Sequence, residues 1–583
     1  MIRHLGARFD SGRRFFCYSV PMQEVIRTAI GDILSRLGLP ETDFIVEHPS
    51  DLSHGDYATN VAMVAGKAAG KAPLEFAEQI RAALEGQIEY VDRIEVAGPG
   101  FINFHLSRDF FAREILRTVE SGDRWGQNDN WEGKTVVVEY TDPNPFKEFH
   151  IGHLFTNAVG ESIARLFMYQ GADVKRVNYQ GDVGLHVACA LYGMMKVGLS
   201  SSGEFTAKDL GRAYALGATA NKEDETAAEE IKRINKAIYE RSDAELNALY
   251  DKGRQVSLDY FETIYAMVDT KFDHYFFESE AAPIGKELVL NNPEVFPESD
   301  GARVFKGEEY GLHSRVFLNS LGLPTYEAKE LALAKLKDEF VHYDHSVVST
   351  AKEINEYFKV LLKAMSFVYP ELAAKTEHVG HGMVRLETGK MSSRTGDVIS
   401  AIDFIEEITD AATAKIEESG RGVADETLAR EIAVGAIKYA TLKGSIYQDS
   451  IFNKEQALSF EGASGPYLQY THARIASVLE KAAMAGVTPK LDEAALSEGA
   501  YDVEKLLYRF PEVVLDAFGE REPHRVATFL IDLAAAFNTF YGQERIADAT
   551  DPRAPYKALI AAAVKQTVKN GLWLLAIKAP EKM

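Results

Sequence analysis

Thr135-Val136-Val137-Val138-Glu139-Tyr140 runs into Pro143-Asn144-Pro145 and then into His150-Ile151-Gly152-His153. The β-branched run predicts a buried parallel strand. Leu154, Ala158, Ile163, Leu166 and Phe167 then form one stripe of a helix, which Gly171 is suited to end. A second strand is predicted over Val174–Tyr179. Strand, loop, helix and strand make one βαβ unit. Its loop lies at the carboxyl end of the first strand, where open α/β sheets bind ligands.

The two imidazoles of His150 and His153 share a face at the head of that helix. Free backbone N–H groups and the positive end of the helix dipole meet there, which is the chemistry of a phosphate site. Gly152, without a side chain, lets a flat base approach the backbone. Alone, a His-x-Gly-His quartet is a weak signal, and His378-Val379-Gly380-His381 repeats it. The second copy runs into Gly382-Met383-Val384-Arg385-Leu386, which alternates like a strand, so it reads as structural. Lys390-Met391-Ser392-Ser393-Arg394 follows between Gly389 and Gly396. Small residues make a mobile loop there, and its Lys and Arg can close over polyphosphate.

Outward from this centre, residues 22–110 read as a small α+β domain. Ile26, Ile30, Ile33, Leu34 and Leu37 mark a helix, and strands are predicted near Phe44–Glu47, Arg93–Val96 and Phe101–Phe104. Residues 1–21 read as an extension, and Asp123–Gly133 as a linker. The sheet domain is expected over 131–400, with charged helical insertions over about 190–345. A helical bundle follows over 401–583.

The chain has 583 residues, 46% hydrophobic and 26% charged, which fits several folded domains and excludes a disordered chain. Two cysteines, Cys17 and Cys189, exclude a disulfide framework and a four-thiolate zinc site. They point to a reducing compartment, and no apolar run is long enough for a transmembrane helix. The formal charge of −23 argues against a nucleic-acid binder coated in positive charge. Local concentration of basic groups stays open. Arg553 to Met583 carries six basic residues against Glu581 alone. A solvated helix face is an equal reading of that run.

His-Ile-Gly-His with Lys-Met-Ser-Ser-Arg resembles the paired motifs of class I aminoacyl-tRNA synthetases. More narrowly, the chain resembles the arginyl-tRNA synthetase family from about Met22 to Met583. Asn178-Tyr179-Gln180-Gly181-Asp182, Leu323-Pro324-Thr325-Tyr326-Glu327-Ala328-Lys329-Glu330 and Ser464–Arg474 carry this likeness in order. So do His54–Asn60, Gly98–Phe104 and Ala579–Met583.

The resemblance implies a Rossmann-type catalytic domain, an N-terminal tRNA-recognition domain and an anticodon-binding bundle. It implies that arginine and ATP, with Mg²⁺, give arginyl-adenylate, and that the arginyl group passes to the 3′ end of tRNA(Arg). A cytoplasmic monomer without a resident metal or an editing domain is expected. His150, His153, Lys390 and Lys147 would serve catalysis. Gly152, Met391, Ser392, Ser393 and Arg394 would join them around ATP. Glu139 and Asn144 would hold the arginine amino group, and Tyr326 and Glu330 its guanidinium. Tyr541, Arg545, Lys565 and Lys569 would meet tRNA, while Phe537, Phe540 and Trp573 read as buried packing residues. The family pattern leads one to expect aspartate at Glu330 and often glutamine at His186. Many members lack the first lysine of the mobile loop, whereas this chain has both Lys147 and Lys390, which predicts partial redundancy. His342 and His345 read as structural or surface histidines.

Overall fold

A computed structural model describes residues 21–387, 399–418 and 425–583. Lys390, Met391, Ser392, Ser393 and Arg394, and with them Cys17, lie outside the described residues. The chain divides into two compact units, one ending at Arg117 and taking in Leu496–Glu512, the other holding Thr118–Ala495 and Val513–Met583.

In the first unit an antiparallel sheet runs in the order Val46–Glu47, Tyr57–Thr59, Phe101–Leu106, Val91–Ala97. The helix Met22–Arg36 buries Ile26, Ile30, Ile33 and Leu34 against it, as the sequence spacing predicts. The helix Pro73–Leu84 adds Phe76 and Ile80 to the same core. Leu496–Glu512, expected within the helical bundle, belongs to this unit instead. Tyr508 joins its core. Glu512 accepts from the Tyr57 hydroxyl at 2.6 Å and pairs with His48 at 2.8 Å. Polar partners some 450 residues apart leave no local sequence signal.

The second unit is built on a five-stranded parallel sheet. Its strands are β1 (Thr135–Glu139), β2 (Asp173–Gln180), β3 (His274–Phe277), β4 (His345–Ala351) and β5 (Thr376–His381). They lie in the order β5-β4-β1-β2-β3, so the winding reverses between β1 and β4, where such sheets bind ligands. Val136, Val137 and Val138 are wholly buried, as a central strand covered on both faces requires. Helix α1 (Ile151–Tyr169) crosses from β1 to β2, and Gly171 follows its end with φ +86°.

The insertions expected over about 190–345 fall on either side of β3, which belongs to the main sheet. Before it stand α2 (Leu185–Lys196), α3 (Ala207–Glu223), α4 (Glu225–Glu240) and α5 (Ala244–Met267). After it come α6 (Glu278–Asn291), a small antiparallel sheet and α7 (Tyr326–Phe340). His-Tyr-Phe-Phe is too short to stand out among the charged helices around it. The supposed linker is packed as well. Trp125 is buried, and Trp131 lies against Phe167 and Phe518 at ring distances of 5.1 and 5.8 Å. From Ala401 onward the described residues are mostly helical, apart from the short strand Ser450–Phe452, and Leu496–Glu512 joins the first unit.

Candidate active site

Between β1 and α1 the backbone departs from ordinary geometry: Thr141, Asp142 and Phe146 all have positive φ (+81°, +45° and +66°). Such residues persist only where their surroundings hold them, and they cluster at functional sites. Here Asp142 accepts from the Tyr179 N–H at 2.8 Å, and the Phe146 N–H donates to Ser257 Oγ at 2.9 Å.

His150 caps α1, and its N–H donates to His153 Nδ1 at 3.2 Å. The two rings stack with centroids 3.7 Å apart, and His153 also meets the Phe149 ring. A Cβ on Gly152 would come within 3.0 Å of the His150 ring. Glycine therefore makes room for the histidine itself, a reason sequence reading did not supply. Burial and the Lys147 cation push His150 down to about 4, and burial, His150 and Lys147 push His153 down too. Both rings are neutral near pH 7, so they can stack without repulsion. The chain is pinned to this point from afar: Ala401 N–H donates to the Phe149 carbonyl at 2.8 Å, and Ser400 bridges to His150.

Beside the histidines a cavity of about 550 Å³ is lined by Lys147, His186, Tyr214, Tyr239, Tyr326 and Lys329, among others. Lys147 lies 4.8 Å from the Tyr214 ring centroid, and burial lowers its pKa. His186 Nε2 is 2.7 Å from the Gly181 carbonyl; burial first, then Lys147, pushes it down to about 3. It is a neutral hydrogen-bonding group, a role a glutamine amide could also fill.

Next to that cavity lies a group of acids. Glu139 is ion-paired with Lys337, and Glu278 with Lys329, all four being buried. Glu330 is pushed up to about 8 by burial and then by Glu139. Asp142 is pushed up for the same reasons. Four carboxylates thus face the ammonium groups of Lys329 and Lys337, and Glu330 and Asp142 are held above the usual carboxylate range. Tyr179 Oη, Gln180 Oε1 and Tyr357 Oη are buried with no hydrogen-bond partner among the described residues. Buried polar atoms of this kind suit contact with a polar ligand. Asn144 and Glu278 both flank Gly181, and Tyr326, 58% exposed, opens α7 beside Lys329.

The fold thus gathers Glu139, Asn144, Tyr326 and Glu330 into one region. Glu278, Lys337 and Tyr357 join them without having been singled out in the sequence, as do Tyr179 and Lys329, which the motifs contained without an assigned role. Glu278 directly follows β3, so recognising that strand would have exposed it. The second His-x-Gly-His lies in β5. There His378 stacks on Phe358 at 3.8 Å and meets Thr350 Oγ1 at 2.7 Å. His342 is exposed, and His345 pairs with Glu377 at 2.8 Å.

In the helical bundle, Tyr541 stacks on Phe537 and lies under Arg474, whose guanidinium is 4.8 Å from its ring. Arg545 is exposed. The lysines are committed elsewhere: Lys565 to Glu581 at 2.7 Å, Lys569 to Asp123 at 2.6 Å, Lys557 to Asp551 at 2.7 Å and Lys578 to Glu431 at 3.3 Å. Of these acids only Glu581 lies in the counted segment, so the local charge tally overstates the free positive charge. Phe537 and Phe540 are buried, as read, but Trp573 is not: it is 38% exposed. Its ring stacks on Tyr169 at 5.4 Å and under Arg165 at 4.9 Å.

Comparison with known proteins agrees with this architecture from residue 22 onward. The family model described as "tRNA synthetases class I (R), catalytic domain" matches residues 115–454. "Arginyl tRNA synthetase N terminal domain" matches 22–106, and "DALR anticodon binding domain" matches 468–583. The chain is 31% identical to an arginine–tRNA ligase of Clostridioides difficile, over 96% of this chain and 99% of that one. It is 30% identical to that of Clostridium perfringens, over 94% and 97%. The arginyl-tRNA synthetase structure of Thermus thermophilus superposes with a TM-score of 0.80 at 26% identity, covering 96% of this chain and all of that one. With matched domains in this order, the chain belongs to the class I arginyl-tRNA synthetases.

Proposed function

We propose that this arginine–tRNA ligase uses the stacked histidines for ATP and the acidic group for arginine. Neither half-reaction needs a protein nucleophile: the arginine carboxylate attacks the α-phosphorus, and a ribose hydroxyl then attacks the adenylate. Rate enhancement comes from positioning and from stabilising charge on the phosphates. His150 and His153, neutral and aimed from a helix N-terminus, donate hydrogen bonds to phosphate oxygens. Lys147 adds positive charge, and Lys390 adds more from the segment beyond Leu386. ATP enters as its Mg²⁺ complex. Gly152, Met391, Ser392, Ser393 and Arg394 complete the ATP site in this reading.

Arginine carries the cation that the acidic group lacks. Its α-amino group meets Glu139 and Asn144, and its guanidinium meets Glu278, Glu330 and Tyr326. The surplus of carboxylates over ammonium groups is the observation that carries this reading. Tyr541 and Arg545 meet tRNA, with Arg474 beside them. Arginine-dependent ATP–pyrophosphate exchange, run with and without tRNA, and charging of bulk tRNA with labelled arginine or lysine test it. Charging with arginine alone is expected. Equal charging with lysine would refute the assignment of the pocket.

A further inference from the structure

Lys329 stands beside the place where that reading puts the guanidinium. Helices α6 and α7 approach closely because residue 285 is glycine; a Cβ there would overlap the Ala328 carbonyl oxygen. This contact sets Glu278, at the start of α6, against Lys329, in the first turn of α7. Their charged groups pair directly, both residues are buried, and the Lys329 ammonium also lies 4.5 Å from the Tyr326 ring centroid. Lys329 borders the cavity that holds Lys147 and His186. One buried carboxylate therefore has two claimants, a resident ammonium and an incoming guanidinium.

We propose that Lys329 is a resident counter-ion that holds the cationic seat on Glu278 and yields it to arginine. This rests on the assignment of the pocket to arginine. An unpaired buried carboxylate is costly, and the lysine keeps Glu278 ionised while the pocket waits. Arginine can displace it because the planar guanidinium makes two parallel hydrogen bonds to a carboxylate, whereas an ammonium is a point charge. The open cavity and the face of Tyr326 receive the displaced ammonium. A free lysine gains nothing from the exchange, since it offers Glu278 the same group that is already there. Discrimination against lysine is thus partly built from a lysine.

The test compares Lys329→Met with Lys329→Arg in the full-length enzyme, reading the KM for arginine separately from kcat, and adding lysine as a competitor. Emptying the seat is expected to lower the arginine KM severalfold and to make lysine a measurable competitive inhibitor. Filling it with a second guanidinium is expected to raise the KM at least tenfold. A brace for the fold would behave oppositely, rescued by Arg and damaged by Met. A KM that rises in Lys329→Met, or that does not rise in Lys329→Arg, overturns the proposal. If Lys329→Met does not fold, the Arg variant alone decides. Failure of the wild-type enzyme to charge arginine would instead sink the pocket assignment itself.

Discussion

His150-Ile151-Gly152-His153 and His378-Val379-Gly380-His381 share a pattern and differ in everything the pattern omits. Burial pushes both His150 and His378 down to about 4, so protonation does not separate them. Placement does. The first pair caps a helix of 19 residues beside a cavity lined by Lys147. The second lies in a sheet strand, with His378 held flat against Phe358. A short motif acquires chemistry from the helix end it sits on, not from its letters.

The strongest way to break this contrast is direct substitution. His150→Ala or His153→Ala should slow adenylate formation on the order of 10²-fold to 10³-fold, the usual cost of removing a preorganised donor. His378→Ala should leave the rate of folded enzyme within about threefold and should cost about 1–3 kcal/mol of stability. Pyrophosphate exchange beside thermal unfolding reads both. A folded His378→Ala enzyme with no exchange would erase the distinction.

The lysines sharpen it next. If Lys147 shares its task with Lys390, Lys390→Ala should slow adenylate formation less than the double variant does. Equal rates would show that Lys147 adds nothing at the first pair.

A smaller effect comes from pH. Because burial and Lys147 hold His150 near 4 and His153 well below the usual imidazole range, the first pair should add no step to the profile between pH 6 and 8. Arginine binding should titrate instead. Glu330, raised to about 8, must lose its proton to accept a guanidinium. The arginine KM should therefore fall about tenfold from pH 7 to 9, the factor expected across one pK unit on either side. Glu330→Gln should flatten that dependence. The same shift weakens the fold as pH rises from about 4.5 through 8, since the folded state holds this proton more tightly than the unfolded chain.

The smallest effects belong to the bundle. Lys565→Ala and Lys569→Ala should leave the salt dependence of tRNA binding nearly unchanged, because both lysines are already paired. Arg545→Ala should make the slope shallower by about one counterion.

The β1–α1–β2 unit, the helix Met22–Arg36 and the position of the first histidine pair were legible because hydrophobic period and chain order specify them locally. Strand β3 was not, since four residues carry too little pattern. Glu278 was lost with it. The pairing of Lys565 and Lys569 was equally hidden, because Glu581 and Asp123 become their neighbours only through tertiary packing. The return of Leu496–Glu512 to the first unit rests on Tyr508, Glu504 and Glu512, whose partners lie hundreds of residues upstream.

One feature of α1 bears on how the molecule is made. Ser162 Oγ donates to the Leu574 carbonyl at 2.7 Å, and Arg165 to the Trp573 carbonyl at 2.9 Å. Lys438 reaches Val268 and Ala576 carbonyls at 2.5 and 2.7 Å. A ribosome delivers α1 more than 400 residues before the groups that accept its bonds. Throughout that interval the nascent chain carries Ser162 and Arg165 without their full set of partners. Helix α1 is therefore not a finished part awaiting a C-terminal appendage. It matures together with the last helix of the bundle, and a chaperone holding the emerging chain would meet it incomplete.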